Sequence, residues 1–94
     1  MTYKLLFVPS AMKEWKKLDR PLAEQIKQKL LERLTNPHVK KDGLLGSKDL
    51  YKIKLKSSGY RLVYQVDDKE KQLLVLAVGK RNRSQVYNKA KQRL

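Results

Sequence analysis

Lys52, Lys54 and Lys56 alternate along one short stretch of chain, Arg61 follows just beyond a Ser58-Gly59 pair, and Arg81 and Tyr87 come later. No Asp or Glu lies between Tyr51 and Val66. Cations gathered without counter-charge invite an anion, and a phosphodiester is the anion whose cleavage they would serve. Internal cutting of RNA requires a deprotonated 2′-OH, a protonated departing 5′-oxygen, and stabilisation of the extra charge on phosphorus. Lys and Arg supply the last requirement directly. His38, the one histidine, sits beside Pro37 in a stretch without periodicity and reads as isolated and solvated. Proton transfer is then left to Tyr87 and a Lys. Arg81 stays charged and suits a phosphate clamp better than a proton donor. A site so poor in proton shuttles depends on substrate positioning. The plain alternatives are that Lys52, Lys54 and Lys56 form a solvated strand face and that Tyr87 packs beside an apolar helical stripe.

The elements that must hold these residues follow from periodicity. Tyr3 to Val8 reads as a first strand, ended by Pro9, with Ser10 as N-cap of a short helix carrying Ala11, Trp15 and Leu18 on one side. Pro21 opens a second helix, whose stripe is Leu22, Ile26, Leu30 and Leu34, ending before Asn36-Pro37. Tyr51, Ile53 and Leu55 then alternate with the three lysines as a half-buried strand. A two-residue turn at Ser58-Gly59 pairs Leu55 with Leu62, Ile53 with Tyr64 and Tyr51 with Val66 on the core face. That register sets Lys56 opposite Arg61 and Lys52 opposite Gln65, with Lys54 diagonal to Arg61. Tyr51, Tyr60 and Tyr64 read as core or edge packing, and Trp15 as a helix anchor. Leu73 to Val78 is apolar throughout, as in a central strand covered on both faces. Ser84 caps a last helix with the stripe Val86, Ala90 and Leu94, and Tyr87 beside it. The expected class is α+β, in the order β-α-α-β-β-β-α: an antiparallel-rich twisted sheet with an N-terminal helical hairpin and a C-terminal helix.

Composition narrows the function. The 94 residues carry 23 Lys plus Arg against 9 Asp plus Glu, a net charge of +14. At this length folding buries about 60% of the unfolded surface, enough for one domain over 1–94 and no second. The positive field favours polyanions, nucleic acid or the ribosome first and an acidic protein next. With no Cys, disulfides, thiol nucleophiles and thiolate zinc sites are excluded, and the cytoplasm is the expected compartment. Scattered acids suggest no metal site, Asp67-Asp68 reads as a turn, and Gly43 and Gly46 form no nucleotide-cradling motif. No apolar run approaches the roughly 20 residues of a membrane helix, and the opening stretch is too short for a secretory signal.

Tyr51-Lys52-Ile53-Lys54-Leu55 followed by Ser57-Ser58-Gly59-Tyr60-Arg61-Leu62-Val63-Tyr64-Gln65-Val66 closely resembles the corresponding stretch of bacterial RelE toxins. Val78-Gly79-Lys80-Arg81, Arg83-Ser84, Val86-Tyr87, Lys13-Glu14-Trp15 and Lys17-Leu18 extend the likeness over nearly the whole chain. The resemblance implies the small RelE-like fold and a ribosome-dependent endoribonuclease that cuts messenger RNA in the ribosomal A site. It implies that Lys52, Lys54 and Arg61 bind the scissile phosphate, that Arg81 is a general acid or phosphate contact, and that Tyr87 is the general base, with Lys54 competing for proton transfer. Lys56, Lys80 and Arg83 join Lys52, Lys54, Arg61 and Arg81 as implied RNA contacts. No cofactor or metal is implied. The implied partners are the 70S ribosome with its ribosomal RNA, the A-site messenger, and a RelB-type antitoxin. That antitoxin carries any contact to operator DNA. Leu45 stands where relatives often have a basic residue, so one RNA contact is absent or moved. Two other classes compete: a ParE-like toxin directed at DNA gyrase, and a non-catalytic RNA- or ribosome-binding protein.

Overall fold

The computed structural model describes residues 2–44, 49–55, 58–80 and 85–94. Along the chain come β1 (Lys4–Phe7), α1 (Pro9–Lys16), α2 (Arg20–Thr35), a short 3₁₀ turn (Lys40–Asp42), β2 (Leu50–Leu55), β3 (Tyr60–Asp67), β4 (Gln72–Lys80) and α3 (Gln85–Gln92). This is the α+β order read from the periodicity. The strands lie in the order β1-β4-β3-β2. β1 runs parallel to β4, whereas β3 is antiparallel to both β4 and β2.

The helix starts depart from expectation in one place. Pro9 occupies the first turn of α1 and the extended Val8 is the N-cap, so Ser10 lies inside the helix rather than capping it. The fixed φ of proline suits the first helical position, where its missing N–H is no loss. Val8 instead donates its N–H to Val75 O at 3.1 Å, adding one more bond to the β1–β4 ladder before the chain turns into the helix. Trp15 anchors α1 by packing on Phe7, with ring centroids 5.6 Å apart. In α2 the stripe is as expected, with Ile26, Leu30 and Leu34 buried.

β4 is covered on both sides. Leu73, Val75 and Val78 face the cluster under α1 and α2. Leu76 and Ala77 face the cluster under α3, which holds Leu50, Val63, Val86 and Ala90. Two successive residues can face α3 because the β3–β4 pairing slips between Val63 and Tyr64. Val63 is opposite Ala77 and Tyr64 opposite Val75, which leaves Leu76 as the extra residue of a bulge. Leu94 does not continue the α3 stripe: the helix stops at Gln92 and Leu94 is 62% exposed.

The β2–β3 register also differs from the expected one. Leu55 pairs with Tyr60, Lys54 with Arg61, Ile53 with Leu62 and Tyr51 with Tyr64. The connection therefore spans four residues, 56–59, and not two. Gly59, at φ 75°, donates its N–H to Leu55 O at 2.9 Å and so closes the longer loop. The shift is two residues, which preserves the inward and outward faces while changing every cross-strand partner.

His38 is not isolated. Its Nδ1 lies 2.9 Å from the Tyr51 hydroxyl and its Nε2 2.7 Å from Asp68 Oδ1, which also accepts the Tyr3 hydroxyl at 2.5 Å. This ties the loop after α2 to the Asp67-Asp68 turn. Beside it the Tyr64 ring stacks on Tyr51 at 5.7 Å, and its hydroxyl donates to Pro37 O at 2.8 Å. Arg33 donates to the Tyr64 hydroxyl at 2.9 Å, to Lys52 O at 3.2 Å and to Asp42 at 2.6 Å. Removing the cation from a mostly buried pair strands its carboxylate and the groups it served. Arg33→Ala is accordingly expected to lower the unfolding free energy by about 3 kcal/mol, read from the urea midpoint.

Candidate active site

Alternation along β2 sets Lys52 and Lys54 on the same side as Leu50, the side covered by α3. Arg61 shares that side with Val63 on β3. Lys54, Arg61 and Gly79 stand in one row across three strands. Two cations directly opposite each other repel, and nothing in the row compensates them. All nine Asp and Glu lie within the described residues. Their ion pairs there go to Arg33, His38, Lys89 and Arg93, and none to Lys52, Lys54 or Arg61.

Arg61 is the most informative of these residues. It is only 8% exposed, the one charged residue among those described that is buried in the core. Its Nη1 donates to Tyr60 O at 3.2 Å, but its Nε has no partner among the described residues. A buried guanidinium without a carboxylate is an expensive arrangement unless an anion completes it. Gly79 completes the geometry, because a Cβ there would meet nothing within 4 Å among the described residues.

Tyr87, on the first turn of α3, is half-buried and packs against the cluster on the same side of the sheet as Arg61. Lys54 is exposed and Lys52 half-exposed. The structure therefore brings Lys52, Lys54, Arg61 and Tyr87 to one side of the sheet. Lys80 is not with them. It projects to the α1–α2 side, its Nζ 5.8 Å from the Tyr60 ring centroid, lining a cleft with Asp19, Leu22 and Gln25. Lys56, Arg81, Arg83, Ser84 and Leu45 lie outside the described residues.

Sequence reasoning missed an ionic junction that holds α3. Glu14 on α1 accepts the Val78 N–H at 3.1 Å and two bonds from Arg93, at 2.9 and 3.3 Å. Arg93 also donates to Leu76 O at 2.8 Å, and Lys89 stands 3.8 Å from the same carboxylate. No local signal marks the pair, since its members lie at opposite ends of the chain. The one hint is Glu14 itself, a lone acid among the lysines of α1. Burial alone would raise the Glu14 carboxyl, but the Arg93 guanidinium, the Val78 N–H and Lys89 together hold it below the usual carboxylate value. Asp68 is likewise held low, first by the Tyr3 hydroxyl and then by His38. A carboxyl depressed on folding contributes stability above its unfolded pKa, and that contribution is lost as pH falls through the folded value. Stability should thus decline below about pH 4, the unfolded carboxylate range. Glu14→Gln should flatten that decline when urea midpoints are compared across pH.

With this geometry in hand, comparison with known proteins decides the family. The family model described as the ParE toxin of the type II toxin–antitoxin system parDE matches residues 5–85. The mRNA interferase toxin RelE of Escherichia coli strain K12 is 51% identical over 94 residues, covering 100% of this chain and 99% of that one. This chain belongs to the RelE/ParE family of type II toxins. Among solved structures, free E. coli RelE with two arginines replaced by alanine superimposes with a TM-score of 0.92 at 49% identity, covering 100% of this chain and 99% of that one. The same E. coli variant bound to a RelB antitoxin peptide gives 0.84 at 49% identity, with the same coverage. The RelE-like fold implied by the sequence motifs is therefore the fold found.

Proposed function

We propose that this RelE-type toxin is a ribosome-dependent mRNA interferase, cutting the messenger in the A site and held in check by a RelB-type antitoxin. Arg61 carries the reading: a buried cation with an unpartnered Nε, opposite Lys54 and paired with no carboxylate among the described residues, is built to receive a phosphate. The relatives at about half identity, named as mRNA interferases, support the reaction class.

In this mechanism Lys52, Lys54 and Arg61 grip the scissile phosphate and stabilise the charge that grows on its oxygens. Tyr87, as its phenolate, accepts the 2′-OH proton, with Lys54, as its free amine, the competing acceptor. The 2′-oxygen bonds to phosphorus while the bond to the 5′-oxygen breaks. Arg81 contacts the phosphate or supplies the proton to the departing oxygen. A 2′,3′-cyclic phosphate and a 5′-hydroxyl result. Lys56, Lys80 and Arg83 extend the RNA contacts. Lys80, on the opposite side of the sheet from Arg61, suits ribosomal RNA better than the reacting phosphate. The ribosome supplies the alignment that so few acid–base groups cannot provide themselves. The cytoplasm, where ribosomes and antitoxin are found, is the compartment of this activity. Operator DNA is reached through the antitoxin alone.

Primer extension on a defined messenger held in ribosomes with an empty A site, beside ribosome-free RNA, tests the proposal. A new 3′ end within the A-site codon, seen only with ribosomes, is expected. The description of the matching family as ParE toxins favours a second reading, inhibition of DNA gyrase. Folded protein that cuts nothing in either tube but blocks gyrase supercoiling would establish that reading in place of the first.

A further inference from the structure

We propose that Glu14 and Arg93 act as positioning residues for the reaction, clamping α3 so that Tyr87 is held over the cationic row. The inference rests on the reading of Tyr87 as the proton acceptor.

The clamp arises from a mismatch in strand length. β1 ends its pairing with β4 at Phe7 opposite Val75, one further bond coming from Val8, because Pro9 turns the chain into α1. β4 runs on to Lys80. Beyond Val75, Leu76 O and Val78 N on this flank need partners from outside the sheet. Arg93 serves the first and Glu14 the second, and the two side chains join each other through both guanidinium Nη atoms. The pair is four-fifths buried, at 22% and 21% exposure, and its geometry is bidentate. Such pairs define orientation as well as adding energy.

α3 depends on that anchorage. Its eight residues are well short of the roughly 12–15 that an isolated helix needs to be even marginally stable in water. Val86 and Ala90 bury one narrow stripe that holds the helix on the sheet, with Tyr87 packed beside it. Arg93, just beyond the last turn, ties the helix end to two fixed points, the backbone of β4 and the carboxylate of α1. At about 1.5 Å of rise per residue, Tyr87 and Arg93 are about 9 Å apart along the axis, so movement at the clamped end is carried to the phenol. Lys52, Lys54 and Arg61 lie on β2 and β3 and do not share this dependence. Loss of the clamp should therefore slow the chemical step while leaving association with the ribosome intact.

The test is single-turnover cutting by ribosome complexes, across ribosome concentrations, for Glu14→Gln, Arg93→Met, Arg93→Lys, Tyr87→Phe and the double variant Glu14→Gln/Tyr87→Phe. Displacing a reactive group by about 1 Å costs up to roughly 100-fold in rate. Glu14→Gln and Arg93→Met are expected to lose about 10- to 100-fold in maximal rate with an unchanged half-saturating ribosome concentration. Arg93→Lys should recover part of that loss, and amide exchange in α3 should quicken in the two impaired variants. Most diagnostic is the double variant: if Glu14 acts through Tyr87, Glu14→Gln has no further effect once the phenol is gone. Parental rates for both Glu14→Gln and Arg93→Met, beside an impaired Tyr87→Phe, would overturn the clamp while sparing the Tyr87 assignment. An equal loss from Glu14→Gln with or without the phenol would also overturn it, by showing a general structural effect. A parental rate for Tyr87→Phe alone would remove the reading on which the clamp rests.

Discussion

Replacing Tyr87 with Phe should lower cutting of the A-site codon by about 100-fold or more, the usual worth of a positioned general base, with little change in ribosome association. The change removes one oxygen and keeps the ring. The ring is what packs against the cluster of Val63, Leu76 and Val86, so the half-buried aromatic and its helix should stay in place. Binding should survive because the net charge of +14 and the cations of β2 and β3 are untouched. Single-turnover cutting measured beside ribosome co-sedimentation separates the two quantities. A parental cutting rate would transfer the proton-accepting role to Lys54, the other candidate on this side of the sheet.

Arg61→Met is expected to move activity and stability in opposite directions. Methionine fills much of the space of the arginine stem, which is already buried, and removes a guanidinium that no carboxylate neutralises. It also ends the repulsion from Lys54 directly opposite. Replacing buried charge with apolar volume commonly stabilises by about 1–4 kcal/mol, so the urea midpoint should rise. Cutting should fall by roughly 100- to 1,000-fold, since a preorganised cation facing the transition-state phosphate would be lost. A strained, functional charge retained against stability is the trade-off often found at active sites. A variant that unfolds more easily than the parent would show the guanidinium to be part of the core's support, and the phosphate reading would lose its main argument.

These predictions draw on different levels of the molecule. Element types and their order were legible because periodicity is local. Leu22, Ile26, Leu30 and Leu34 share a face free of Glu24, Gln28 and Glu32 only in a helix, and Tyr51, Ile53 and Leu55 share one only in a strand. The apolar run Leu73 to Val78 announced a strand covered on both sides, as β4 is. The cationic face followed from the same alternation, and the motif likeness to RelE toxins carried the family. The likeness also named Arg81, Arg83 and Lys56 as site residues, whereas the geometry of the site rests on Lys52, Lys54, Arg61 and Tyr87.

What the sequence by itself determined was therefore the class of fold, the family, and the side of the strand on which the cations lie. The tertiary structure decided which residues meet. A loop two residues longer than expected set Lys54, not Lys56, against Arg61, because the closing bond depends on the conformation of Gly59 and not on strand patterning. It turned His38 from a solvated side chain into a link between Tyr51 and Asp68, 30 residues away in the chain. It left the Arg61 guanidinium buried without a carboxylate, and it joined Glu14 to Arg93 across a separation of 79 residues. Periodicity reports which way a side chain points from its own backbone. Partners drawn from distant elements depend on where strands end and how they pair, and only the packed molecule settles that.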